Sequence, residues 1–192
     1  MEERKDIERE LAASLKSLAL TIPFEKITIR QITDGAGVIR VTFYNHFQDK
    51  YDLLEWILNT EVFDPVRILR DNNMVRDAVV LIFSKLLEDK AFYSRVAQME
   101  GQNSFRELVY QATYRFIYER LREHTVVKPR HPWMKEEYIA SYYAQSMTFV
   151  LLEWIRAGMT VSPEEMAVAY EYIATRSLGD VIDELEGRKP EK

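Results

Sequence analysis

Apolar residues recur along this chain mostly at spacings of three and four rather than in alternation, and only six glycines and six prolines interrupt them. That pattern predicts an all-α protein. A first helix is expected over about 3–20, with Ile7, Leu11, Leu15 and Leu18 on one stripe. It should stop before Ile22-Pro23, because the residue preceding proline resists the α conformation. A sharper start signal follows at Thr28, three residues before Gln31. The hydroxyl is placed to cap the Gln31 amide while the Gln31 side chain reaches back, and Ile27 and Ile32 occupy the staple positions. Gly35-Ala36-Gly37 should then close a short helix with a tight turn in which Gly37 takes positive φ, leading into a second short helix over about 40–47.

Asp49 is placed to cap a further helix whose buried face is Leu53, Leu54, Ile57 and Leu58. Beyond Asp64-Pro65 the pattern predicts helices near 72–89, 91–98, 102–124, 134–157 and 163–184, with a long loop over 128–132. The last helix begins well, at Ser162-Pro163-Glu164-Glu165. From Met134 to Gly158 the chain is apolar around most of the helix, so it must be covered on more than one side.

Two short helices joined by a glycine turn fit a helix-turn-helix, whose second helix lies in the DNA major groove; an ordinary αα-hairpin fits equally well at this point. On a wheel of about 100° per residue, Phe43 and Phe47 lie together and point to a core. Val41, Asn45 and Gln48 gather on the opposite side, flanked by Thr42 and Tyr44. Arg40 opens this helix, Arg30 sits in the first turn of the one before, and Lys50 begins the next, all candidate DNA contacts. His46 is placed at a helix end beside the DNA backbone.

Composition sharpens this reading. The chain has 192 residues and a net charge of −5, which disfavours indiscriminate nucleic-acid binding. Locally the balance reverses: over 26–50, Lys26, Arg30, Arg40 and Lys50 face Asp34 and Asp49, a thin excess of positive charge. The absence of cysteine excludes disulfides and thiolate chemistry. His46, His124 and His131 lack metal-ligand spacing, and no nucleophile elbow, phosphate loop or glycine fingerprint appears. The expectation is therefore no metal, no cofactor and no enzyme. The charged start MEERKDIERE resembles no secretory or transit signal and no apolar run suits a bilayer, so a cytoplasmic protein without membrane association is expected.

Residues 28–47 with Asp49-Lys50, and above all Thr-Phe-Tyr-x-His-Phe at 42–47, resemble the TetR (tetracycline repressor) family of bacterial transcription regulators. The resemblance is specific over the first 58 residues or so. It implies a DNA-binding domain at 1–58 and a helical dimerisation and effector domain at 59–192, acting as a homodimer on a palindromic operator in double-stranded DNA. Thr28 and Arg30 would reach phosphate or base from the first of the two short helices. Arg40, Val41, Thr42, Tyr44 and Asn45 would face the groove, and Lys50 would hold the DNA backbone. Many relatives carry a small or polar residue where Ile39 stands and a small one where Val41 stands, so this chain presents a bulkier surface there.

In the second domain, Ala140, Ala144, Met147, Leu151, Trp154 and Ile155, with Tyr170 and Ile173 of the following helix, are the expected dimer interface. Phe92, Tyr93, Gln98, Gln102, Phe105, Tyr110 and Tyr114, accompanied by Arg95 and Asn103, are the expected lining of a small-molecule effector pocket. The competing reading is that these aromatics are core. Ala91-Phe-Tyr, the stretch at 101–105 and the pattern Leu-Leu-Glu-Trp-Ile-x-x-Gly at 151–158 resemble the branch of the family that contains dihydroxyacetone-kinase operon activators. That branch implies control by a protein co-regulator as the alternative to a ligand.

Overall fold

The structure, a computed structural model, describes residues 2–101, 104–124 and 131–188, and every regular element among them is helical. Gln102, Asn103, residues 128–130 of the expected loop and the side chain of His124 lie outside the described residues. In chain order the helices are α1 (Glu2–Ala19), α2 (Ile29–Gly35), α3 (Arg40–Tyr44), α4 (Lys50–Leu58), α5 (Arg67–Asp71), α6 (Val75–Glu88), α7 (Lys90–Val96), α8 (Phe105–His124), α9 (Glu136–Arg156), α10 (Pro163–Thr175) and α11 (Leu178–Leu185). A 3-10 turn (Phe24–Lys26) precedes α2, and α4 runs on into a π-helical segment (Asn59–Phe63) and a further 3-10 turn (Asp64–Val66).

The caps do what their sequences require. Thr28 accepts from the Gln31 amide while the Gln31 side chain accepts from the Thr28 amide, and Ile27 and Ile32 are both buried. Asp49 accepts from the amides of Tyr51 and Asp52 at the head of α4. Ser162 and Glu165 close the same reciprocal pair at α10, and hydrogen bonding to Ser162 holds the Glu165 carboxyl below the usual range. The expected final helix divides in two. Arg176 takes an extended conformation, and Ser177 starts α11 with a capping box of its own through Asp180.

One core runs from Leu11 in α1 to Tyr170 in α10. α8 and α9 pack along each other, α10 lies against α6, and α1 touches α2, α4 and α7. A charged junction reinforces the last of these contacts. Lys16 Nζ lies 2.5 Å from a carboxylate oxygen of Glu61, in the π-helical segment, and 2.5 Å from one of Asp89, between α6 and α7. Burial by itself draws the Lys16 pKa down; the hydrogen bonds and attraction of Asp89 and Glu61 outweigh it and leave the pKa raised.

α1 crosses α2 at Gly35. The Ser14 hydroxyl there donates to the Ile32 carbonyl at 2.8 Å, and a Cβ on Gly35 would stand 2.3 Å from that hydroxyl oxygen. Gly35→Ala therefore forces Ser14 off its bond in a buried contact and should cost about 1–3 kcal/mol, measured by urea unfolding. Ser14→Ala in the same chain should restore part of that loss, because the Ile32 carbonyl keeps the Ala36 amide as a donor.

Candidate nucleic-acid interface

The turn between α2 and α3 is set by two glycines with different duties. Gly35 allows the close approach to α1, and Gly37 adopts φ +69°, a left-handed conformation that other residues resist. Val38 then donates back to the Thr33 carbonyl, and Ile39 caps α3 in an extended conformation. Five residues make a helix too short to persist alone. Its position comes from Phe43 and Phe47, both buried, which pack ring against ring at 5.8 Å; Phe47 also meets Trp56 of α4 edge to face at 6.0 Å.

With those rings turned inward, the opposite side faces solvent. Arg40, Val41, Tyr44 and Asn45 are exposed, Thr42 is half-buried, and Thr28 and Arg30 are exposed at the start of α2. Arg40 lies over the Tyr44 ring at 6.0 Å and approaches its hydroxyl at 3.4 Å, so one residue braces the other. Arg30 stands 3.6 Å from Asp34, a pair so exposed that it holds Arg30 only weakly.

Two of the expected contacts are placed differently. Lys50 is half-buried and its ammonium is already engaged: Nζ donates to the carbonyls of Phe24, Glu25 and Ile27 at 2.8, 2.8 and 2.9 Å, between the Phe24 and Tyr51 rings. Its pKa is lowered, chiefly by burial. An ammonium has three protons, and all three are engaged in fixing the turn that leads into α2. His46 is turned inward as well, its Nδ1 3.2 Å from Glu8 of α1, and its side chain is largely covered. Both residues build the frame and leave the displayed surface to Thr28, Arg30 and the α3 side chains.

The expected effector residues are not gathered in one place. Phe92, Tyr93 and Phe105 are buried core and pack on one another, with ring centroids 5.2 and 5.9 Å apart. The Tyr93 hydroxyl has no hydrogen-bond partner among the described residues, and burial pushes its pKa well up. Tyr110 and Tyr114 lie along α8, where Tyr110 meets the Ser141 hydroxyl at 3.0 Å and Tyr114 stacks on Tyr118. Gln98 lines a cleft of about 160 Å³ formed with Arg95 and Met99 against Ala19, Pro23 and Phe24. Gln102 lies outside the described residues. The competing reading, aromatics as core, holds for Phe92, Tyr93 and Phe105.

The expected dimer residues need a similar correction. Ala140, Ala144, Met147, Leu151, Trp154, Ile155 and Tyr170 are buried in the chain's own core, so their side chains are not surface; Ile173 alone of that set is exposed. The other side of the same helices carries apolar surface, with Tyr138, Tyr142 and Phe149 on α9 and Val168 on α10. An all-round apolar helix announces two faces, and the small residues mark the one that packs inward on α8.

The fold and this two-helix unit define a helix-turn-helix regulator. Residues 12–57 match the family model for bacterial regulatory proteins of the tetR family, and residues 74–176, more than half of the chain, match that for a transcriptional regulator C-terminal region. The chain belongs to the TetR family of DNA-binding transcription regulators. It is 27% identical over 86 residues to the HTH-type dhaKLM operon transcriptional activator DhaS of Lactococcus lactis subsp. lactis, a match covering 45% of this chain and 46% of that protein. The chain thus spans about half the length of that curated relative.

Among solved structures it resembles the dihydroxyacetone kinase operon activator DhaS, with TM-score 0.60 and 19% identity over 87% of this chain and 93% of that one. It also resembles NalD, the secondary repressor of the MexAB-OprM multidrug efflux pump in Pseudomonas aeruginosa, with TM-score 0.59 and 16% identity over 90% and 95%. At these identities the likenesses establish the fold.

Lys50→Met should lower stability by about 1–3 kcal/mol, because three carbonyls lose their donor. The check is chemical denaturation in the absence of DNA, where a lysine kept for phosphate alone would give no change.

Proposed function

We propose that this protein acts in the cytoplasm as a homodimer on a palindromic operator, with residues 1–58 as the DNA-binding domain and 59–192 as the domain that dimerises and receives the controlling signal. The observation that carries the reading is the split of α3. Phe43 and Phe47 hold it from one side while Arg40, Val41, Tyr44 and Asn45 are exposed on the other, with Thr42 half-buried at their edge. Thr28 and Arg30 extend that surface from α2. Lys26, Arg30 and Arg40 are then the cations each protomer offers to phosphate, so two protomers are needed for a useful electrostatic grip.

The outer faces of α9 and α10 form the dimer contact in this reading, through Tyr142, Phe149, Val168 and Ile173. Control follows one of two routes. A small-molecule effector is served by the clefts beside the core, such as the one of about 330 Å³ lined by Trp56, Asn59, Phe63, Arg115 and Phe116. A protein co-regulator is favoured by a specific observation: Phe92, Tyr93 and Phe105 fill the region where the ligand pocket was expected. The likeness to DhaS, an operon activator, is consistent with the second route.

Selection of bound sequences from a randomised DNA library should return an inverted repeat; recovery of no enriched site would overturn the reading. On that site, Tyr44→Ala and Arg40→Ala should each weaken binding about ten-fold, with melting temperature unchanged. Replacing Arg30 or Arg40 by Ala should also flatten the dependence of log K on log salt by about one unit per protomer. Phe149→Glu should move the protein toward monomer in sedimentation velocity, because it sets like charges into an apolar contact; a dimer unaffected by it would place the interface elsewhere.

A further inference from the structure

Three large apolar side chains stand out from the surface at the front of the helix-turn-helix. Ile39 is 70% exposed, Val41 65% and Tyr44 51%. Single exposed hydrophobics are ordinary on protein surfaces; three within six consecutive residues ask for a reason. Tyr44 has one inside the chain, since it braces Arg40. Ile39 and Val41 have none, because the core side of α3 is already filled by Phe43. Asn45 follows Val41 by one helical turn, on the same side of the chain, and is exposed too.

In the major groove only one of the four bases presents an apolar group, the C5-methyl of thymine, and the amide of an asparagine pairs in a bidentate manner with adenine N6 and N7. The displayed face offers the matching chemistry: branched aliphatic groups at 39 and 41, an amide at 45, and guanidinium groups held to its edges at 30 and 40. We infer that this face selects A·T pairs, with Ile39 and Val41 seating thymine methyl groups and Asn45 reading adenine. The inference rests on the DNA-binding reading above and adds a base preference to it. The β-branched residue at 41 is then the reader of the operator rather than an obstruction to close approach.

The contact is a burial of methyl against methyl, so its size follows from the transfer of one carbon group out of water, a factor of about four in affinity for each thymine methyl seated. Two half-sites make the factor about fifteen for a symmetric pair. An aliphatic side chain reads the methyl and no other group of the major-groove edge.

The test uses the full-length protein and the operator recovered by library selection. Thymines of the selected site are replaced one symmetric pair at a time by deoxyuridine, which lacks only the 5-methyl group, and affinity is measured at fixed salt. At one or two thymine positions the wild-type protein should lose about fifteen-fold in affinity, and 5-methylcytosine should bind better than cytosine at those same positions. Val41→Ala should lose the thymine-over-uracil discrimination at one of these positions, and Ile39→Ala with Val41→Ala at all of them, while circular dichroism and melting temperature match the wild type. A wild-type protein indifferent to every thymine-to-uracil change, or a Val41→Ala variant that retains the full discrimination, overturns the inference and leaves DNA binding intact. Failure to recover any operator overturns the DNA-binding reading and this inference with it.

Discussion

The recognition surface depends on the anchoring of α3 by Phe43 and Phe47. A helix of five residues has too few internal hydrogen bonds to fix its own conformation, so its geometry is imposed from beneath. Phe43 reaches the core between α2 and α4, Phe47 locks against Trp56, and His46 ties the end of the helix to Glu8. Every outward residue inherits its direction from those contacts. The aromatic density of residues 43–47 therefore measures how much packing is needed to hold a very short helix rigidly enough to read DNA.

Charge is distributed by the same economy. A chain with a net charge of −5 has no overall excess of cations to present, and two lysines of the DNA-binding unit are engaged with groups of the protein itself. Lys50 closes the turn before α2 through three carbonyls, and Lys16 joins α1 to the π-helical segment and the α6–α7 corner. Within residues 26–50, what remains fully exposed is a pair of arginines and Lys26. So thin an excess of positive charge shifts the task of binding toward direct contact with bases and, in the proposed dimer, toward the second protomer.

Much of the fold was legible because its signals are local. Thr28 with Gln31, Asp49, and Ser162 with Glu165 each state a helix start within four residues, and all three structures follow. The inward pair Phe43 and Phe47 was legible from helical spacing. Other features depend on residues far apart in sequence. Nothing near Lys50 reveals that its partners lie at 24, 25 and 27, and nothing near His46 points to Glu8. The α9 helix was read as needing cover on two sides, but the choice of inner face rests on how α8 packs, which periodicity does not encode. The break before α11 did have a local signal: Ser177 and Asp180 carry the capping spacing with aspartate in place of the usual glutamate or glutamine.

In the proposed reading, the junction at Lys16 lies where a signal taken up by the C-terminal helices would meet the DNA-binding unit. Removing its charge would leave Glu61 and Asp89 without their shared cation in a partly buried site and loosen the tie between α1 and the α6–α7 corner. The segments it joins are those whose relative position matters most. α1 supports α2 through Ser14 and α3 through Glu8; the π-helical segment continues α4; and α7 borders the cleft against Pro23 and Phe24. The core is continuous across these elements, so a shift of α7 would bear on α1 as well as on the cleft between α7 and Pro23. α1 in turn packs on α2 and α4, and its Glu8 meets His46 just beyond α3.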